Sequence, residues 1–192
     1  MDDASMVRAP VELGTPQVRL NGPVDEYMLR FFIDGLAMLE NGGDRPLVLE
    51  LTTTGGDADI GRRIAADVRL FRERTGRRTI FLGKSVVYSA GVTIMSAFPR
   101  EERWLSRGTA LLIHCRQLNK TVTFEGPLKA ARMRAEALLG EIDTGLDVEE
   151  QDFEDLIEDT DVGMSELLER AQVNWYVHAD EAVARRLVAG LI

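Results

Sequence analysis

The sequence predicts an α/β fold, a sheet of parallel strands flanked by helices. Short apolar runs, such as Leu47-Val48-Leu49-Glu50-Leu51, Thr79-Ile80-Phe81-Leu82-Gly83 and Ala110-Leu111-Leu112-Ile113, read as buried strands. Between them lie segments whose apolar residues recur at steps of three and four, the period of a helix. Strand and helix alternate along the chain, and parallel strands joined by right-handed crossovers are the packing that such alternation favours.

Residues 1–16 carry Pro10 and Pro16 without periodicity and are expected to be a flexible arm, leaving 17–192 as one domain. Val18–Leu20 reads as a short strand. Leu29, Phe32, Leu36 and Leu39 then mark a helix over Asp25–Glu40, stopped by Asn41-Gly42-Gly43. After the strand Leu47–Leu51, Thr52–Gly56 is expected to turn. Ile60, Ile64, Val68 and Phe71 give the next helix, Asp57–Arg74, its apolar face. The strand Thr79–Gly83 leads to a short helix of small residues that starts near Ser89 and ends before Pro99. Arg103–Leu105 fits an edge strand, Ala110–Ile113 a buried one, and Val122–Phe124 a further short strand. Helices are expected over Leu128–Ile157, Ser165–Gln172 and Asp180–Leu187, with 125–172 forming a helical projection.

Composition narrows the function classes. Of 192 residues, 45% are hydrophobic and 29% charged, a globular balance, and no apolar run reaches the roughly 20 residues of a membrane helix. The net charge of −9 argues against nucleic acid as a partner. Eleven of the 32 acidic residues fall within 141–161, which has no Lys or Arg, so the other 21 nearly balance the 23 Lys and Arg. That segment is expected to be a solvated helical face at or near a subunit boundary. Cys115 is the single cysteine, which excludes an intrachain disulfide and paired-cysteine zinc sites. Met1–Ser5 is acidic and lacks the apolar stretch of a secretion signal, so a cytoplasmic location is expected.

Three features could carry chemistry. Ser89, in Val86-Val87-Tyr88-Ser89-Ala90-Gly91, lies where a strand gives way to a helix of small residues. Such a junction exposes a hydroxyl and free backbone N–H groups, although serine in this place also serves as a helix cap. His114 ends an apolar strand and is one of two histidines, so the choice of an imidazole base is narrow; a structural role for it is the alternative. Gly55-Gly56 after a strand allow close backbone approach, or simply a tight turn. The N–H groups of Gly56 and Ala90 could together hold an oxyanion.

In this order and strand context the three features resemble the Clp peptidase proteolytic subunit, within the Clp/crotonase superfamily. The matching stretches are Thr53-Thr54-Gly55-Gly56, Tyr88-Ser89-Ala90-Gly91 and Ile113-His114, preceded by Val18-Arg19-Leu20-Asn21-Gly22-Pro23-Val24. The resemblance runs from about residue 17 to the C-terminus and is weakest over 116–165. It implies a crotonase-like spiral of parallel strands with a helical handle, and a serine peptidase with Ser89 as nucleophile, His114 as base, and Gly56 and Ala90 as oxyanion hole. Substrates would be peptides or unfolded proteins, and no metal or organic cofactor is needed. The family implies a homo-oligomeric ring, heptameric or doubly heptameric, and an AAA+ unfoldase as a possible partner.

Three departures stand out. Asn174 occupies the position where the family usually has the triad aspartate. An amide oxygen can hold an imidazole tautomer but cannot stabilise imidazolium, so low activity is expected. Residues 116–122 lack the family's glycine-rich strand, and the interval between the histidine and the third member is longer. His178 and Asp180 read as cap or first-turn residues of the last helix, and Cys115 as a buried or interface thiol. Lys84 is a poor dyad partner for Ser89 because both lie on one strand-turn. Rival readings are a crotonase-type acyl-CoA enzyme and a weakly active or regulatory ring subunit.

Overall fold

A computed structural model describes residues 9–192. The first eight residues of the expected arm lie outside the described residues. Within the rest of it, Val11–Gly14 form one 3-10 turn whose Leu13 packs with Val48, Ile80, Leu82 and Trp104.

The strands are β1 (Val18–Asn21), β2 (Leu47–Thr53), β3 (Thr79–Tyr88), β4 (Arg103–Leu105), β5 (Ala110–Ile113), β6 (Trp175–His178) and β7 (Gly190–Leu191). The helices are α1 (Glu26–Asn41), α2 (Ala58–Thr75), α3 (Ala90–Ser96), α4 (Leu128–Ile157), α5 (Met164–Ala171) and α6 (Ala179–Ala184). Asp25 and Asp57 start α1 and α2 by accepting backbone N–H bonds, and Gly76 ends α2 in the left-handed conformation. Phe32, Ile64, Val68 and Phe71 turn inward from these helices, as their spacing predicts.

The sheet runs β1-β2-β3-β4-β7, all parallel, and branches at β3. Phe81–Gly83 of β3 pair with β4, whereas Val86–Tyr88 pair with β5. The switch falls at Lys84-Ser85, where Ser85 takes φ 61° and the register against β2 shifts. Beyond it, β3 carries on alongside β5 towards Ser89. The expected parallel sheet is therefore present, with one addition: β6 pairs antiparallel with β5. The strand expected at Val122–Phe124 does not form, because no neighbouring strand supplies a ladder for it.

Arg103 is 2% exposed and binds two helix ends. Its Nε donates to Phe98 O (2.8 Å) and its Nη2 to Ser96 O (3.0 Å), at the end of α3. Nη1 donates to Leu156 O (2.9 Å) and Nη2 also to Asp155 O (3.1 Å), in the last turn of α4. These carbonyls lack partners within their own helices, so one guanidinium serves as a shared C-terminal cap. Burial pulls the Arg103 pKa down to about 10, which leaves it charged at neutral pH. The root of α4 is thus fixed beside α3. Leu128, Met133, Leu139, Ile142 and Leu146, on its other half, are exposed.

Candidate active site

Ser89 is the single residue between β3 and α3. Its backbone takes φ 55°, ψ −120°, a conformation that costs a non-glycine residue about 1–3 kcal/mol. Two bonds hold it there: its N–H donates to Leu112 O, and its carbonyl accepts from the N–H of Val92, both at 2.8 Å. Its side chain makes no capping bond, so the helix-cap role is not taken and the hydroxyl stands at a sharp strand-to-helix elbow.

The Gly55-Gly56 turn packs directly against this elbow. A Cβ on Gly55 (φ +96°) would lie 2.8 Å from Ser89 Cβ, and one on Gly56 (φ +153°) 2.4 Å from Val24 O. Both positions therefore require glycine, for the backbone angle and for the approach. Among the described residues, no group accepts a hydrogen bond from the Gly56 N–H. Ala90, as the first residue of α3, has no carbonyl one turn back to accept from its N–H.

His114 follows the last residue of β5 and is half-buried. Its Nδ1 lies 2.7 Å from the Cys115 carbonyl oxygen. A carbonyl only accepts, so Nδ1 carries the hydrogen and Nε2 keeps its lone pair, the tautomer a general base needs.

Ser89, Ala90, Gly56 and His114 line one cavity of about 510 Å³. Val92, Ile113, Phe153 and Leu156 give it apolar walls. Asn174 is exposed and does not line the cavity; it takes φ 65°, and its N–H donates to Ala171 O. The β5–β6 ladder ends at the pair Ile113–Trp175; His114 follows Ile113 and Asn174 precedes Trp175 just beyond that end. The Asn174 side chain makes no hydrogen bond among the described residues.

The wall contributed by α4 was not anticipated. Glu149, Asp152, Phe153 and Leu156, spaced at one, four, five and eight, share a face and line the cavity. At Glu149 and Asp152 the acidic segment 141–161 is therefore not a solvated face. The Glu149 carboxylate accepts the Arg116 backbone N–H, and Arg62 lies 3.5 Å from Asp152. Burial pushes the Asp152 carboxyl up to about 6, against the pull of Arg62 and Arg116. The interleaved Phe153 and Leu156 were the available signal that this face turns inward.

The remaining sequence candidates fall outside the cavity lining. Lys84 Nζ pairs with Glu50 Oε2 at 2.7 Å. Burial and Glu149 both raise the Cys115 pKa, which keeps it a thiol. His178 is the residue before α6 and Asp180 lies in its first turn. Among the described residues, no group of acidic, His or Cys side chains is arranged to hold a metal. No described helix is long and apolar enough to cross a membrane.

The structure aligns with ClpP1 of Listeria monocytogenes, solved as an asparagine-to-aspartate mutant, with a TM-score of 0.69 over 94% of this chain and 92% of that one, at 17% identity. The chain has the Clp peptidase fold. In sequence it is 29% identical over 98 residues to the ATP-dependent Clp protease proteolytic subunit 2 of Pseudomonas aeruginosa, covering 51% of this chain. The match spans about half (47%) of that relative's length. No family model matches the sequence. The resemblance to Clp-type peptidases read from the motifs is borne out, and the α/β spiral with it. Within the Clp peptidase fold, the cavity sits where β3, β5 and α4 converge.

Proposed function

We propose that the chain is a serine peptidase that cleaves peptide bonds through an acyl-enzyme. The observation that carries this reading is the strained Ser89 elbow sharing a cavity with a histidine whose Nδ1–H is already committed. In this mechanism His114 Nε2 takes the Ser89 Oγ proton as Oγ bonds to the substrate carbonyl carbon. The negative oxygen is held by the Gly56 and Ala90 N–H groups. His114 returns the proton to the amine as the C–N bond breaks, and water repeats the sequence to release the acid. Asn174, just beyond the same ladder end as His114, orients the imidazole when its side chain turns inward.

The chain would work as one subunit of a homo-oligomeric ring of heptameric type, with peptides or unfolded protein as substrate and an ATPase as a further partner. Support comes from the similarity to a protein named as a proteolytic subunit of an ATP-dependent protease, and from the exposed apolar residues along α4. The test is covalent labelling by a fluorophosphonate. Wild type should be labelled at Ser89, Ser89→Ala not at all, and His114→Ala at least a hundredfold more slowly. Equal labelling of Ser89→Ala would remove Ser89 from the mechanism.

A further inference from the structure

The cavity at Ser89 has a chemical asymmetry that the proposed reaction does not use. Val92, Ile113, Phe153 and Leu156 give it an apolar wall, and Asp152 lines the same space. The charged groups around Asp152 are mostly committed. Arg69 of α2 pairs with Asp155 at 2.6 Å, and Asp155 is the neighbouring acid on α4. Arg116, from the segment after β5, also lines the cavity; it gives its Nη2 to Asp59 at 2.6 Å, while its buried Nη1 has no hydrogen-bond partner among the described residues. Arg62 of α2 donates to Val148 O at 2.9 Å and to Gln151 Oε1 at 3.4 Å, and stands 3.5 Å from Asp152 Oδ1 without forming a hydrogen bond. Glu149 is occupied by the Arg116 backbone. Among the described residues, then, Asp152 has the Arg62 ion pair but no hydrogen-bond donor, and its side chain is 14% exposed.

We propose that Asp152 makes this cavity selective for a long cationic side chain, lysine or arginine, on the residue whose carbonyl Ser89 attacks. The inference rests on the peptidase reading above. A lysine or arginine stem would lie along Phe153, Leu156, Val92 and Ile113, and its charged end would supply the donors that Asp152 lacks. A norleucine side chain would gain the same apolar contact but offer the carboxylate no donor. An acidic side chain would be repelled. Burial raises the Asp152 carboxyl, with help from the like charge of Asp155 and against the pull of Arg62, Arg116 and Arg69.

The test uses peptidyl diphenyl phosphonates that differ only in their last side chain, lysine or norleucine. These phosphonylate an active-site serine and so need no turnover. At pH 8 the lysine probe should label wild type at least tenfold faster than the norleucine probe. The ratio should fall to within about twofold in Asp152→Asn. In the wild type it should also fall as pH drops below about 6 and Asp152 takes up a proton; because it is a ratio, pH effects common to both probes cancel. This arm needs no folded variant. A wild-type ratio near one, or one that neither the substitution nor acid reduces, overturns the selectivity. So does fluorophosphonate labelling of Ser89 with no reaction of the lysine probe. If no probe of any kind labels Ser89, the peptidase reading itself fails, and this proposal falls with it.

Discussion

Replacing Arg103 with methionine isolates what the shared helix cap contributes. Methionine keeps an unbranched apolar stem in the buried channel but removes every donor. Four carbonyls, those of Ser96, Phe98, Asp155 and Leu156, then lose their hydrogen bonds at a position that is 2% exposed. At about 1 kcal/mol or more for each buried acceptor left unpaired, the loss is about 4 kcal/mol. The arginine's own desolvation, visible in its lowered pKa, is recovered and works against this figure. Arg103→Lys keeps the charge, but its single ammonium cannot span the ends of both α3 and α4, and about 2 kcal/mol should go. Urea unfolding followed by circular dichroism gives both numbers, and tryptophan emission reports locally through the adjacent, buried Trp104. Amide exchange should accelerate first in the last turn of α4, and labelling of Ser89 should slow, since α3 and α4 frame its cavity. If Arg103→Met loses less than 1 kcal/mol and exchange at α4 is unchanged, the guanidinium is not the tie between the two helices.

Other expectations follow from the same geometry. The folded-state pKa of Asp152, about 6, lies above its ordinary 3.8, so the folded protein binds more protons between these values and its stability declines as pH rises through that window. At ~1.36 kcal/mol per pH unit the decline amounts to at most roughly 3 kcal/mol, and Asp152→Asn should abolish it; urea unfolding of both proteins at pH 4.5 and 7.5 is the comparison, and equal pH dependence in the two would contradict it. Asn174→Asp should raise turnover of a fluorogenic peptide about threefold to a hundredfold, with no gain when Ser89 is also replaced; a neutral or harmful effect in an intact assembly would remove Asn174 from the third position. Packing of copies through the acid-rich α4 should strengthen with salt, because the Debye length of roughly 10 Å at 0.1 M shortens further; sedimentation showing dissociation as salt rises would refute this.

The parallel core was legible because each strand of it is a nearly continuous apolar run and each helix keeps its period. What escaped detection depended on partners far along the chain. Trp175–His178 alternates buried and exposed residues over four positions only, and pairing with β5 is what makes it a strand. Val122–Phe124 carries strand-like residues but has no neighbour and stays irregular. β3 runs five residues past the expected end because β5 replaces β4 beside it. The acidic segment misled for a related reason. Like charges in a row suggest a face in water, yet Arg62, Arg69 and Arg116 meet Asp152, Asp155 and Glu149 from elsewhere in the sequence. That Ser89, His114, Gly56 and Ala90 would converge could be anticipated because each lies at an element end, which local sequence marks clearly.

The orientation of His114 joins the legible part of the site to the part that was not. A triad needs an acceptor on Nδ1, and the motif comparison assigns that place to Asn174. In this structure the Cys115 carbonyl fills it at 2.7 Å, within the chain's own turn out of β5. A carbonyl and an asparagine oxygen do the same limited work: both fix the tautomer, and neither brings a full negative charge to the imidazolium. Under the proposed mechanism the Cys115 carbonyl holds the His114 tautomer until the Asn174 side chain turns inward, so removing the Asn174 amide alone should cost little. An aspartate at 174 differs in kind, because a carboxylate just beyond the same ladder end can outcompete a neutral carbonyl for Nδ1–H once His114 becomes charged. The gain expected from Asn174→Asp therefore arises in the transition state and should appear in turnover more than in KM.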